Sequence, residues 1–194
     1  MWSIGNPIVN TVTSLFSMLA PSRSIQQERL DRYKWMYDDV IHIVNEMREH
    51  GEETNQDWIS STNILQDLNQ MVDILVEEET DLQQKAKSND ETNDTSPLCR
   101  DYLLNYQIVD GLCGIAMVDD PKGSTEIIVQ HLTRLFREVK FPLLSSGTVG
   151  VSVSALFQKL IQFYHSASVS SSLEVSIVKL VEVIIVFSFY LDCM

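Results

Sequence analysis

The sequence is short of basic residues: 14 lysines and arginines stand against 27 acidic residues in a chain of 194, which gives a formal net charge of −13 at pH 7. Nucleic-acid binding needs a positive surface that neutralises phosphates, so this balance excludes nucleic acid as an expected partner. The same charge disfavours unspecific docking on anionic lipid. We therefore expect any membrane association to be indirect, through protein partners.

Cysteine and histidine are also sparse. The three cysteines have no metal-type spacing and leave one unpaired, and two of them fall on apolar helical faces, where a free thiol behaves as a small hydrophobe and suits a reducing cytosol. The histidines are scattered, with no H-E-x-x-H pair, so we expect them on the surface or at helix flanks. No metal and no cofactor are therefore expected. The residues are Cys99, Cys113 and Cys193, and His42, His50, His131 and His165.

Catalytic motifs are missing as well. The chain has no G-x-S-x-G and no G-x-x-x-x-G-K-[ST], and Gly147–Gly150 lacks the lysine and the preceding strand of a phosphate-binding loop. Glu77, Glu78, Glu79 and Asp81 form an acidic cluster, but consecutive helical positions point in different directions and cannot converge on one ion. We interpret this cluster as a solvated helix end. The sequence thus predicts a non-enzyme with no catalytic, cofactor-binding or metal-binding residues.

Helix-start and helix-stop signals divide residues 1–84 into N-terminal helices. Asn6 and Pro7 open the first, and it ends at Pro21; it lacks the basic region of a signal peptide, so we interpret it as an amphipathic helix. Ser24 with Gln27 forms a capping box for a long second helix that stops at Gly51. The apolar stripe of this second helix comprises Ile25, Tyr33, Met36, Tyr37, Val40, Ile41, Val44 and Met47.

The third helix, roughly Thr62 to Leu82, leads into an acidic spacer. Residues 85–95 carry charge and no apolar periodicity, and they cannot offset an ordering cost of about 1–2 kcal/mol per residue, so we predict a mobile loop that proteases cut first. The apolar face of the third helix repeats at helical spacing. It comprises Ile64, Leu65, Leu68, Met71, Val72, Leu75 and Val76.

Residues 96–165 form a helical-repeat segment. It contains two short helices, Pro97 to Tyr106 and Gln107 to Val118, a strong helix from Thr125 to Val139, a glycine-containing loop from Ser145 to Val151, and a helix that Ser152 caps. Helix pairs of modest length with short turns predict an all-α fold, an irregular armadillo- or HEAT-like α-solenoid. A single compact bundle stays open as the alternative. The inward residues of the strong helix are Ile128, Val129, Leu132, Leu135, Phe136 and Val139.

Residues 166–194 hold the most apolar stretch, Val175 to Leu191. Lys179 and Glu182 leave only nine uninterrupted uncharged residues, Val183 to Leu191, where a membrane span needs about 20. A buried solenoid helix is therefore favoured over a tail anchor. We favour a third interpretation, an N-terminal fragment or an alternatively terminated product whose last helix has lost its neighbour. Its outer apolar face would then be exposed and promote self-association.

Several short sequence segments occur in an order and at a spacing that are typical of one protein family. A helix reading Met71, Asp73–Val76, Glu78 and Glu79 precedes an acidic gap, and Cys99, Tyr102–Leu104, Ile108, Val109 and Leu112 follow it, with later matches at Val129–Phe136, Pro142–Leu144 and Leu156–Ile161. In these segments the chain resembles the retinoic-acid-induced-16-like proteins, which are the Hook-interacting proteins of the FTS–Hook–FHIP complex. The resemblance extends roughly from Leu19 to Ile161.

The resemblance implies a role as well as a fold. Such proteins are non-enzymatic scaffolds that join Hook adaptors and the FTS subunit, and so couple dynein to endosomal or other Rab-marked vesicles. A Rab GTPase is the further partner that it implies. On this basis we expect a cytoplasmic vesicle-transport adaptor, peripheral on endosomes, with no partner-binding residue carried over by motif. A tail-anchored membrane protein and an unrelated helical-repeat scaffold stay as alternatives.

Overall fold

A computed structural model describes residues 24–50, 58–88, 96–166 and 171–191, and within these ranges the fold is all-helical. The predicted all-α class is therefore confirmed, while the predicted first helix lies outside the described residues. The helices are α1 (Ile25–His50), α2 (Trp58–Ser61), α3 (Ile64–Ser88), α4 (Leu98–Asn105), α5 (Ile108–Val118), α6 (Ser124–Glu138), the 3-10 helix η1 (Leu143–Ser145), α7 (Gly147–Ser166) and α8 (Ser171–Leu191).

The helix boundaries follow local capping chemistry, with two differences from the prediction. Ser24 caps α1, since the Gln27 N–H donates to its Oγ at 3.2 Å. Helix α3 continues to Ser88, four residues into the predicted spacer, and the spacer residues 89–95 lie outside the described residues. Helix α7 begins at Gly147 and not at Ser152, because the Gly150 N–H already donates to the Ser146 carbonyl and closes the first turn. The predicted glycine loop is thus mostly helical.

Three helices form one parallel row. Arg134 of α6 contacts Asn69 and Asp73 of α3, and the Phe141 N–H just beyond α6 donates to Glu79 further along α3. Because contacts advance in the same direction on both helices, α3 and α6 run parallel. Helix α8 continues the row: Ser172 contacts Glu126 near the start of α6, and Gln130 Nε2 lies 3.3 Å from Ser176 Oγ one turn later.

A second row consists of α1, the pair α4 and α5, and α7. The Tyr33 and Tyr102 rings pack edge to face with centroids 6.2 Å apart, and a Cβ at Gly111 would lie 2.8 Å from the Tyr37 hydroxyl, so α1 runs alongside α4 and α5. Helix α7 packs on α5, with Ser152 Oγ donating to Asp110 Oδ1 at 2.5 Å. Between the rows, α1 packs on α3 and α5 packs on α6. Helices α1 and α3 run antiparallel, since Arg29 near the start of α1 pairs with Asp81 late in α3, and Arg32 further along α1 bonds to Gln70 earlier in α3.

The core lies between the two rows and matches most of the predicted stripes. All six predicted inward residues of α6 are buried. Two predicted core residues are wrong: Ile25 is 75% exposed because it sits in the first turn of α1, and Leu65 is 40% exposed on the outer side of α3. The described part of the chain contains no helix that is both long enough and apolar enough to cross a bilayer.

Candidate functional site

The acidic cluster of α3 is a set of structural contacts and not the solvated helix end that we inferred from sequence. Glu78 is buried, and its two carboxylate oxygens accept the Cys99 N–H at 2.8 Å and the Arg100 N–H at 3.0 Å. These N–H groups belong to the first turn of α4, where a helix leaves its amides without intrahelical partners and favours negative charge. Glu78 therefore caps α4 from a different helix.

Glu79 does the same for the segment that follows α6. Its oxygens accept the Lys140 N–H at 2.8 Å and the Phe141 N–H at 2.7 Å. The guanidinium of Arg100 stacks on the Phe141 ring at 4.3 Å, so the two capped segments also touch each other. Through these two adjacent glutamates, α3 bonds to the start of α4 and to the segment that follows α6.

The remaining acids of the cluster face α1. Arg29 lies 2.9 Å from Asp81 and 3.7 Å from Glu77, whose side chain is 63% exposed. The predicted divergence of consecutive side chains is thus observed, with three glutamates pointing to three elements. Within the described ranges no group of three or more histidine, cysteine or acidic side chains is placed to hold a metal ion.

At the opposite end of the hairpins, the loop before α6 is held by three elements. Asp119 Oδ1 accepts the N–H groups of Gly123 and Thr125, both at 3.1 Å, and so caps α6. Gly123 has a φ of +93°, a conformation that glycine adopts without steric cost. The Trp58 indole of α2 donates to the Lys122 carbonyl at 2.9 Å, and Arg48 of α1 donates to the Asp120 carbonyl at 2.7 Å.

Two buried titratable side chains lie where α3 meets its neighbours, His131 on α6 and Asp67 on α3 itself. His131 is buried, contrary to the predicted surface position, and burial lowers its pKa to about 4 more strongly than the Leu68 backbone carbonyl raises it. Asp67 is buried near the crossing of α1 and α3, where burial and then the neighbouring Asp39 carboxyl raise its pKa to about 6. Both groups favour their neutral forms, which is the expected response to a site of low polarity.

The two described cysteines are buried free thiols, as their apolar positions predicted. Burial raises the pKa of Cys113 to about 12, and burial together with Glu78 raises the pKa of Cys99 well above its usual range. Neither thiol is therefore ionised near neutral pH, and neither is suited to nucleophilic attack. Cys193 lies outside the described residues.

Three exposed features remain as candidate contact surfaces. Trp35 is 60% exposed on the outer face of α1. Tyr106 is 66% exposed and packs on Tyr102, with ring centroids 4.2 Å apart. On α8, an open cleft of about 240 Å³ is lined by Arg137, Glu182, Val183 and Val186. All three lie open at the surface of the described part of the chain.

Compared with known proteins, the chain matches no protein-family model and no solved structure. Its function therefore has to be inferred from its own residues and from the contacts described above.

Proposed function

We propose that this protein is a non-enzymatic adaptor with an irregular armadillo- or HEAT-like α-solenoid fold. The observation that carries the proposal is the pair of parallel rows, α1–α4/α5–α7 and α3–α6–α8, in which hairpins follow one another side by side. In a solenoid each repeat contacts its neighbours and leaves extended lateral faces for partners. The unequal lengths of the helices fit the irregular form of such an array.

The charged side chains that bond between helices also support a scaffold function. Glu78, Glu79 and Asp119 bond to backbone N–H groups, and Arg134 spans α3 and α6 through Asn69 and Asp73. These groups maintain the relative position of successive hairpins. A rigid stack of this kind suits a scaffold, whose partners bind on its surface.

The resemblance to Hook-interacting proteins gives the proposed adaptor its partners. We infer that it joins Hook adaptors and the FTS subunit and links dynein transport to endosomal or other Rab-marked vesicles, working in the cytoplasm and peripherally on endosomes. Trp35 is the proposed anchor, because exposed tryptophans are enriched among residues that dominate binding energy.

Binding of the purified full chain to purified Hook adaptor and FTS subunit tests the proposal. The partners should be assayed singly and together by biolayer interferometry. Replacing Trp35 with alanine should weaken binding by roughly tenfold or more, the range for an interface anchor. Leu65→Ala is the matched control, since Leu65 is an exposed apolar residue on α3. Absence of binding by the unaltered chain would favour the alternative of an unrelated helical-repeat scaffold.

A further inference from the structure

The outer face of α8 is the most apolar exposed surface on any described helix. Val175, Val178, Ile185 and Val186 are each between 49% and 56% exposed, and they recur along one side of the helix. The opposite side of α8 packs on α6 through the fully buried Leu180. Four half-exposed aliphatic residues on one stripe are more than scattered single exposures and mark an interaction surface.

Two charges interrupt this stripe near its middle. Lys179 and Glu182 are both exposed and lie three positions apart, about one helical turn. The face is therefore almost neutral in a chain whose formal net charge is −13. A second copy of the chain is repelled by most of this acidic molecule, and it meets the least repulsion here.

The order of the residues is self-complementary for antiparallel pairing. When two copies of α8 pair about a twofold axis between positions 180 and 181, Lys179 of each copy faces Glu182 of the other. In the same register Val175 faces Val186, and Val178 faces the half-buried Val183. Parallel pairing in register instead places like charges against each other, which is unfavourable.

We propose that this protein forms a twofold homodimer through the outer face of α8, with the two helices antiparallel and the Lys179 and Glu182 charges paired between copies. The occupant of the face is a second copy of this chain, and the inference is independent of the proposed adaptor function. The paired segment from Val175 to Val186 is about 17 Å long, which is short for an interface, so we expect a dissociation constant of roughly 1–100 μM.

Other groups near the face are compatible with this arrangement. Arg137 lines the cleft beside Glu182 and is paired with Glu138 of its own helix at 3.2 Å. Glu174 is also exposed on α8, but it lies before the first paired residue. The exposed Val151 and Ile161 belong to α7 and are not part of the stripe.

Charge reversal in the full chain tests the register. Lys179→Glu places two acids opposite each other in the dimer, and Glu182→Lys places two bases opposite each other. Each should raise the dissociation constant by roughly tenfold or more in sedimentation velocity experiments, and the double variant K179E/E182K should restore it. An equimolar mixture of the two single variants should form heterodimers more readily than either forms homodimers.

The controls distinguish a change in dimer formation from misfolding and from association through exposed apolar residues outside α8. Each variant should keep the far-ultraviolet circular dichroism of the unaltered chain. Val151→Glu removes an aliphatic side chain that is 71% exposed on α7, and it should leave the dissociation constant unchanged. A chain that stays monomeric at the highest soluble concentration, that forms larger aggregates in place of dimers, or whose single and double variants associate equally well would each overturn the proposal.

Discussion

The first hairpin and the last helix of the molecule are held by different kinds of contact. In the hairpin of α1 and α3, Arg29 pairs with Asp81, Arg32 Nη2 donates to Gln70 Oε1 at 2.7 Å, and α3 itself sends Glu78 and Glu79 to the backbone of the next hairpin. These are directional bonds between defined atoms. They determine which turn of one helix lies beside which turn of its neighbour.

Helix α8 has its described polar contacts to α6 in its first two turns. Ser172 bonds to Glu126 and Ser176 lies next to Gln130, and beyond them the contact with α6 becomes apolar. The residues that pack against the core there are Ile177, Leu180, Val183 and Ile184. Apolar contact is non-directional and scales with buried area, so it stabilises α8 without selecting one register as strongly.

The difference shows that directional bonds fix the relative positions of the earlier helices, whereas apolar contact holds most of α8. Carboxylates that bond to backbone amides specify the geometry of the hairpins that they join, because a shift by one residue breaks two charge-assisted bonds at once. An apolar helix face tolerates sliding and accepts other apolar faces. The outer side of α8 is therefore the part of the described chain best suited to a new neighbour.

The sharpest test of this contrast is one substitution made in both regions. Leu132 in α6 and Leu180 in α8 are both fully buried, and a change to aspartate buries an unpaired charge in each. Leu132→Asp should cost about 4–5 kcal/mol or more and abolish cooperative folding, because α6 contacts both neighbouring hairpins. Leu180→Asp should release α8 and leave α1–α7 folded. Hydrogen exchange measured by mass spectrometry distinguishes the two outcomes. Equal loss of protection throughout both variants would show that α8 does not unfold separately from α1–α7.

Acid should weaken the contact between α3 and α6 through His131. Its pKa is lowered from 6.5 to about 4 in the folded protein, so the stability that the neutral imidazole maintains is fully present above pH 6.5 and is lost as the pH falls toward 4. The full effect corresponds to about 3 kcal/mol. His131→Gln, which does not titrate, should reduce the loss of stability between pH 7 and pH 4.5 in urea unfolding.

Asp67 supplies the opposing control for that measurement. Its pKa is raised from 3.8 to about 6, so its contribution is fully present below pH 3.8 and is lost as the pH rises through 6. Asp67→Asn should therefore make the chain more sensitive to acid relative to its own stability at pH 7, the reverse of His131→Gln. The same pH dependence in both variants would show that neither group is perturbed in the folded protein.

The contacts of Glu78 should matter more than those of Glu77. Glu78→Gln keeps the shape of the side chain but removes its charge and one of two oxygen acceptors, leaving a buried N–H of α4 without a partner at a cost of about 1–3 kcal/mol. Glu77→Gln weakens an exposed ion pair with Arg29 and should cost about 0–1 kcal/mol. Urea midpoints that shift equally for both would mean that Glu78 does not cap α4.

The sequence predicts the helices well because apolar spacing is a local signal. The stripe of α6 and the burial of Cys99 and Cys113 follow directly from helical periodicity. The roles of Glu78 and Glu79 do not, because their partners are backbone amides 21 or 22 positions away for Glu78 and 61 or 62 positions away for Glu79. Their N–H groups become neighbours only after the hairpins stack.

A signal for the buried polar residues is nevertheless present. Asp67 follows Ile64 by three positions, Glu78 follows Leu75 by three, and His131 follows Ile128 by three, so each polar residue continues an apolar stripe. A charged residue on such a stripe either ends the helix face or finds a buried partner. The sequence pattern favours the first outcome for Glu78, a solvated helix end, and the structure shows the second.

The smallest predicted effect concerns the polar contact at the start of α8. Glu126 is not the freely solvated residue that its position in the first turn of α6 suggests, because it accepts hydrogen bonds from Ser172 Oγ and from Gln130 Nε2. Ser172→Ala and Glu126→Gln should each cost about 0.5–1 kcal/mol, and the double variant should cost less than their sum, because both remove the same bond. Thermal unfolding of the four chains gives the coupling energy, and Ser154→Ala, on an exposed serine of α7, is the control. A coupling of zero would mean that α8 is attached to α6 by apolar contact alone, and the contrast with the first hairpin would then be complete.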